Sequence, residues 1–457
     1  MTLHQYLETL RGQDVTVIGL GVSNVPLVRL LSGHGARVTA RDQRGRDGLG
    51  AELSGELDAL GVSLVLGDGY LEDLPGQLTF CTPGINPRRR ELQEAVARGA
   101  VIDSEMNLFL HLCPCPVIGI TGSDGKTTTT TIIAEMLGAI GKTVWLGGNI
   151  GTPLLDKADD MSPEDVVVVE LSSFQLMTVT KSPNRCVITN ISPNHLDVHT
   201  DMDEYIEAKC AIFASQRDNG LCILNGDDPL LREKAALCPG DVRFFSRKSR
   251  PEGGVWLEDG ILYSEGRAVM KQSDIRIPGI HNVENYMAAI AVLEGMVPYE
   301  AMAEVARAFP GVEHRLELVR ELGGVRYIND SIGSSPTRTQ AGLKCFDGPL
   351  VLIAGGYDKK IPFDDLGVDI AARVRLLLLC GATAAAIEAA VRAAPGFDVS
   401  RTEIVRFESL DDLVPTARQL AREGDTVLFS PACASFDQFK NFGVRGRYFK
   451  ELVNKLI

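Results

Sequence analysis

The residues best suited to chemistry lie at 117–133, which read VIGITGSDGKTTTTTII. An apolar run ends in glycines, then comes Lys126, then threonines that open a helical stretch. Nucleotide phosphates need that order. Glycines let backbone N–H groups approach the oxygens, and a helix N-terminus favours negative charge. Gly122, Asp124 and Gly125 would shape the loop, Lys126 would reach the terminal phosphates, and the hydroxyl of Thr127 or Thr128 would sit on Mg²⁺. The spacing is not the strict phosphate-loop pattern, which would require glycine where Ile120 stands.

Other polar residues fall where apolar runs end. Glu170 closes the run 165–170 (DVVVVE) and suits a Mg²⁺ ligand beside the phosphate loop. Residues 190–199 (NISPNHLDVH) hold His195, Asp197 and His199, either a metal site or a polar loop with a satisfied histidine. Asn149, in a glycine-rich turn, would bring an amide to the same rim. Lys209 lies in a helical run and earns no role from its position alone. Asn282 and Asn285 share a helix face and could bind a ligand or cap the helix. His314 and Arg315 could clamp a phosphate, and Asp330, Lys359 and Ser435 follow further strand-like runs. Cys433 has no base partner in sequence and does not read as a nucleophile.

Strands alternating with helices must position these groups. The first unit has strands at 14–20 and 36–40, with Gly19, Gly21, Val22 and Ser23 between strand and helix and Asp42 about twenty residues on, near a dinucleotide fingerprint. Asn24 stands where that fingerprint has its third glycine. The turn Thr82, Pro83, Gly84 follows a strand at 77–80 and lies at the same sheet edge. A second unit has strands at 117–120, 143–146, 166–170, 186–190 and 221–225, then a β-rich addition with an Asp259-Gly260 turn. A third has strands at 325–328, 350–354, 376–379 and 426–430. The expected fold is α/β with three consecutive domains, at 1–112, 113–311 and 312–457. Rossmann-like N- and C-terminal domains would flank a P-loop-type ATPase domain.

The chain has 457 residues and a net charge of −14, which argues against nucleic-acid or anionic-membrane partners. Ten cysteines are scattered through apolar runs, without zinc spacing, as in a reduced cytoplasmic protein. No apolar run approaches the ~18 residues of a membrane span.

Together, residues 119–129, 170–176, 190–197, 281–285, His314-Arg315 and above all 430–445 (SPACASFDQFKNFGVR) resemble the Mur ligases of bacterial peptidoglycan synthesis, over essentially the whole chain. The segment 430–445 resembles the branch that adds D-glutamate. The resemblance implies an ATP-dependent amide ligase acting on UDP-N-acetylmuramoyl-L-alanine, D-glutamate and ATP, with two Mg²⁺ ions or Mn²⁺ in their place, as a monomer. It implies that Gly19, Gly21, Val22, Ser23, Asp42, Thr82, Pro83 and Gly84 contact UDP rather than NAD. Asn149, Ser172 and Gln175 would face the muramoyl-alanine end. Gly122, Asp124, Gly125, Lys126, Thr127, Thr128, Asn282, Asn285, Arg315 and Asp330 would hold ATP, with Asp330 at the ribose. Lys359, Ser435 and Phe442 would hold D-glutamate. Thr127, Glu170, His195 and Lys209, the last as a carbamate, would be metal ligands. Lys126, His195, Lys209 and Arg315 would be the catalytic group. Two positions depart from the family pattern: Asp124 replaces an asparagine, and Ile332 replaces a lysine.

Three competing functions fit part of the chain. A folylpolyglutamate synthase lacks the first domain and need not carry 430–445. A nicotinamide-dependent reductase leaves the lysine loop unexplained, and a nucleotide switch leaves the third domain unexplained.

Overall fold

The computed structural model describes residues 1–193, 199–217 and 219–457. Among these residues the strands assemble into three sheets. The first contains β1 (Asp14–Ile18), β2 (Arg37–Asp42), β3 (Ser63–Leu66), β4 (Leu78–Cys81) and β5 (Val101–Asp103), all parallel, in the order β3-β2-β1-β4-β5. The strand order reverses between β1 and β4. In open α/β sheets that reversal opens a ligand crevice beyond the carboxyl ends of the strands.

The second sheet contains β6 (Val117–Thr121), β7 (Val144–Gly148), β8 (Val166–Glu170), β9 (Arg185–Ile188), β10 (Leu221–Asn225), β11 (Asp241–Ser246), β12 (Val255–Glu258), β13 (Ile261–Ser264) and β14 (Arg267–Lys271). Their order is β14-β13-β12-β11-β10-β9-β6-β8-β7. β6 lies between β8 and β9, with Ile120 level with Glu170 and Thr121 level with Ile188. The loops after these three strands therefore emerge side by side. β8 forms as a strand because four β-branched valines favour a pleated backbone and both its faces are covered. All five of its residues are buried. The antiparallel β12–β13 hairpin turns at Asp259 and Gly260, both with positive φ, as an Asp-Gly turn favours.

The third sheet contains β15 (Glu317–Leu322), β16 (Val325–Asn329), β17 (Leu350–Ala354), β18 (Val374–Cys380), β19 (Glu403–Phe407) and β20 (Thr426–Phe429), in the order β15-β16-β20-β17-β18-β19. Only β15 runs antiparallel to its neighbour among the described residues. β20 sits between β16 and β17, so the loops after all three share one edge.

The chain divides into two compact units, residues 1–274 with 283–307, and residues 275–282 with 308–457. The first unit holds two of the sheets on one continuous hydrophobic core. That core runs from Leu3 and Val15 through Phe109 and Val117 to Leu155 and Phe213. The α/β class and parallel-dominated sheets match the expectation. Strands β3, β5, β14, β15 and β19 were not anticipated: each spans six residues or fewer, and most positions in each are half-buried or exposed.

Candidate active site

The phosphate loop is built between β6 and the helix Lys126–Ala139. Gly122 has φ +147°, and a Cβ there would collide with the Thr189 side chain after β9. The close approach lets Thr189 and Asn190 clasp the loop. Asn190 accepts the Asp124 N–H at 2.9 Å and donates to the Asp124 carbonyl at 3.1 Å. Asp124 itself is exposed. Lys126 curls back, its Nζ donating to the Gly122 and Ser123 carbonyls at 2.9 Å each. The first N–H groups of a helix have no intrahelical partner, so this 14-residue helix presents donors to an anion.

Thr127 and Thr128 stand in different surroundings. Thr127 donates its hydroxyl to Glu170 Oε2 at 2.7 Å, and Asn149 donates to Glu170 Oε1 at 2.6 Å. Thr128 is buried. Glu170 is 1 % exposed, so its charge depends on such partners. A buried carboxylate, a hydroxyl and an amide are hard oxygen donors, and they fit Mg²⁺ or Mn²⁺. Asn285 packs against the same loop: it accepts from Thr129 at 3.2 Å, and Gly125 leaves no room for a side chain beside it.

Lys209 lies on the helix Met202–Ala214 and is buried, not solvated. Its Nζ donates to the Gly122 carbonyl at 2.8 Å and lies 4.6 Å from the Tyr205 ring centroid. Burial, with Lys126 nearby, pulls its pKa down to about 7. A neutral amine is the form that adds CO₂, so this environment suits a carbamate. Tyr205 bonds Ser123 at 2.8 Å. His199 bonds Ser173 at 2.9 Å and stacks on Phe174. His195 and Asp197 lie outside the described residues. Among the described residues, no group of three or more His, Cys, Asp or Glu is placed to hold a metal.

At the first sheet, Gly19 follows β1 with φ +84°, and a Cβ there would collide with Thr82 after β4. The glycine loop and the Thr82, Pro83, Gly84 turn thus meet at the strand-order reversal. Asn24 explains the missing third glycine: its amide donates to the Ile18 and Gly19 carbonyls at 3.0 Å each. Asp42 accepts the Leu20 N–H at 2.7 Å and pairs with Arg44 at 2.8 Å, so it anchors the loop from below. Gly21 and Val22 are exposed and Ser23 is half-buried. Ser172 and Gln175 form a capping box on the short helix Ser173–Leu176.

In the second unit, the loops after β16 and β20 converge on Arg445, which sequence did not single out. Its guanidinium donates to the carbonyls of Ser331, Cys433 and Ala434 at 2.9, 3.1 and 3.0 Å. Tyr357 donates its N–H to the Ala434 carbonyl at 2.9 Å, and Lys359 reaches the Ser334 carbonyl at 3.0 Å. Ser435 is buried, whereas Phe442 is 42 % exposed and its carbonyl accepts from Ser331. Asp330 is buried and accepts from the Ser430 hydroxyl at 2.7 Å and the Leu316 N–H at 3.3 Å. Burial pushes its pKa up to about 6. Arg315 is half-buried and contributes to its field. His314 is 4 % exposed, burial lowers its pKa, and Asn329 lies 2.9 Å from Nδ1. Asn282 donates to the Pro278 carbonyl at 2.6 Å. Burial raises the Cys433 pKa to about 11, consistent with an inert thiol.

A three-sheet α/β chain with a glycine-lysine loop opening a helix, and a buried acid beside it, has the architecture of a nucleotide-binding α/β protein. Residues 120–293 match the Mur ligase middle domain, and residues 314–433 match the Mur ligase, glutamate ligase domain. The chain belongs to the Mur ligase family. It is 45% identical to the UDP-N-acetylmuramoylalanine--D-glutamate ligase of Clostridium perfringens over 454 residues, 99% of each chain. It is 47% identical to the protein of the same name from Acetivibrio thermocellus over 464 residues, 99% of each. The fold is shared with the MurF ligase of Thermotoga maritima solved with ADP, at 17% identity, TM-score 0.57 and coverage of 98% and 96%. It is also shared with UDP-N-acetylmuramate-alanine ligase of that organism, at 18% identity, TM-score 0.56 and coverage of 96% and 98%.

Proposed function

We propose that this chain is an ATP-dependent amide ligase that joins D-glutamate to the L-alanine carboxylate of UDP-N-acetylmuramoyl-L-alanine, a step of peptidoglycan precursor synthesis. The observation that carries the reading is full-length similarity to ligases of that name. The relatives' 99% coverage spans all three sheets, which neither a nucleotide switch nor a reductase would require.

The alanine carboxylate oxygen attacks the γ-phosphorus, ADP leaves, and an acyl phosphate forms. The D-glutamate amine then attacks the acyl carbon, loses a proton, and expels inorganic phosphate from a tetrahedral intermediate. Catalysis of the first step is positioning and charge stabilisation rather than covalent chemistry. Gly122 to Thr128 cradle the phosphates, with Lys126 turning from its own loop carbonyls to the γ-phosphate. Asn282 and Asn285 serve the nucleotide, Arg315 the phosphates and Asp330 the ribose. Thr127, Glu170, His195 and a Lys209 carbamate would hold two Mg²⁺ ions, which supply positive charge opposite the phosphates. The Gly19–Ser23 loop, Asp42 and the Thr82, Pro83, Gly84 turn take the UDP group, and Asn149, Ser172 and Gln175 the muramoyl-alanine end. Lys359, Ser435 and Phe442 take D-glutamate. These roles divide among functional modules at 1–112, 113–311 and 312–457.

The enzyme works as a cytoplasmic monomer. No helix among the described residues is long and apolar enough to cross a membrane. An isotope experiment tests the chemistry: substrate labelled with ¹⁸O in the alanine carboxylate should pass one ¹⁸O into the released phosphate. Unlabelled phosphate would rule out the acyl phosphate.

A further inference from the structure

The helix Met202–Ala214 touches the phosphate loop twice, through Tyr205 on Ser123 and Lys209 on Gly122. Its first turn touches something else. Glu204 is 3 % exposed, and its Oε1 accepts from Asn86 Nδ2 at 3.0 Å. Asn86 stands two residues past Gly84, on the turn that follows β4. The other oxygen, Oε2, accepts the Thr200 N–H at 2.6 Å and its hydroxyl at 2.7 Å. Arg88 lies 3.8 Å from Glu204 and pairs with Glu207 at 3.0 Å. One carboxylate thus spans two layers of the unit, the β4 turn on one side and the root of the Lys209 helix on the other.

Stability alone is a poor reason for this arrangement. Burying a carboxylate has a desolvation cost that packed apolar groups avoid, and the exposed Arg88–Glu207 pair contributes little. Geometry supplies a better reason. In-line transfer requires the attacking oxygen to meet phosphorus within a few tenths of an ångström, and a ~1 Å error costs about 100-fold in rate.

We propose that Glu204 is a positioning residue that fixes the Thr82–Gly84 turn in register with the phosphate loop, so that the sugar-nucleotide carboxylate arrives in line with the γ-phosphate. The inference rests on the ligase reading above. Glu204 touches no substrate; it acts through Asn86 and the helix.

The hydrogen-bond polarity makes the idea testable. Both Glu204 oxygens face donors, so Glu204→Gln must set an N–H against either Asn86 or Thr200. The Asn86 amide cannot turn freely to accommodate it, because its Oδ1 already accepts the Arg88 N–H at 2.8 Å. Asn86→Asp alone sets two carboxylates face to face. The double variant, Glu204→Gln with Asn86→Asp, restores the match: the new amide on the helix can donate to the new carboxylate on the turn and still accept from Thr200.

The experiment measures steady-state kinetics and ATP affinity for wild type, both single variants and the double variant. Each single variant should raise KM for the sugar nucleotide on the order of tenfold and lower kcat, with ATP affinity unchanged, and the double variant should recover most of both. Wild-type KM and kcat in both single variants would overturn the proposal, as would a folded double variant no better than the singles. If a single variant fails to fold, the double variant decides alone. Absence of D-glutamate-dependent turnover in wild type would instead defeat the ligase reading.

Discussion

Thr127 and Glu170 meet at 2.7 Å although 43 residues separate them. The contact joins the first turn of a helix to the last residue of a strand. It exists because β6 and β8 are neighbours with Ile120 level with Glu170. Replacing Thr127 with alanine removes the hydroxyl and leaves a buried carboxylate with one partner fewer. Turnover of T127A should fall about 100-fold or more at fixed Mg²⁺. Titrating Mg²⁺ against activity checks the assignment: the variant should need more metal, and an unchanged Mg²⁺ dependence would reject it.

Gly122→Ala would place a Cβ against the Thr189 side chain at a φ that L-residues avoid. The clasp around Asp124 should open and ATP binding should be lost, with a stability cost of about 1–3 kcal/mol. Calorimetric ATP titration beside a thermal melt separates the two effects. Wild-type ATP affinity in G122A would show that the loop does not bind phosphate.

Lys209 carries a pH dependence of defined sign. Its folded pKa, about 7, lies below the ordinary 10.5. The unfolded chain therefore binds more protons between those values, and the unmodified protein should gain stability from this group as pH rises through 7 toward 10.5. The same shift enlarges the neutral-amine fraction at about pH 8. Enzyme stripped of CO₂ should lose activity and regain it with bicarbonate, gaining roughly 44 Da, the mass of CO₂, in native mass spectrometry. Lys209→Ala should stay inactive with bicarbonate.

Glu204 titrates in the opposite sense. Burial raises its pKa, but Thr200, Asn86 and Arg88 outweigh that and bring it to about 2, below the ordinary 4.5. Its stabilising contribution is present above pH 4.5 and is lost as pH falls toward 2. The Tm gap between wild type and Glu204→Gln should be widest near neutrality and narrow as pH falls from 4.5 toward about 2.

Arg445→Lys keeps the charge but not the planar fork that reaches three carbonyls. Melting temperature should drop by several degrees, and KM for D-glutamate should rise about tenfold, because residues 331, 433 and 434 lose their common tie. Unchanged KM for D-glutamate would separate Arg445 from the amino-acid site.

What could be read from sequence follows from how local each signal is. The strand–glycine loop–helix at 117–139 was legible because its glycines, lysine and threonines are consecutive, and the strand-end place of Glu170 because a run of valines ends on it. The Asp259-Gly260 hairpin was legible for the same reason. Tyr205, Glu204 and Arg445 were not. Their partners lie 82, 118 and 114 residues away, and only the packing of helices over the sheets brings them together. Lys209 looked like a solvated surface lysine because Asp203, Glu204 and Glu207 precede it on its helix; burial under the glycine loop is a tertiary fact. His314 followed the same logic in reverse: its burial, which lowers its pKa, is invisible in the sequence.

The central claim is ligation of D-glutamate driven by ATP. The most direct measurement is ADP release with ATP, Mg²⁺ and UDP-N-acetylmuramoyl-L-alanine in three reactions: D-glutamate, L-glutamate and no amino acid. Sustained ADP release with D-glutamate alone, matched mole for mole by the amide product, is the predicted result. Equal release with L-glutamate, or none from folded protein that binds ATP, would contradict it.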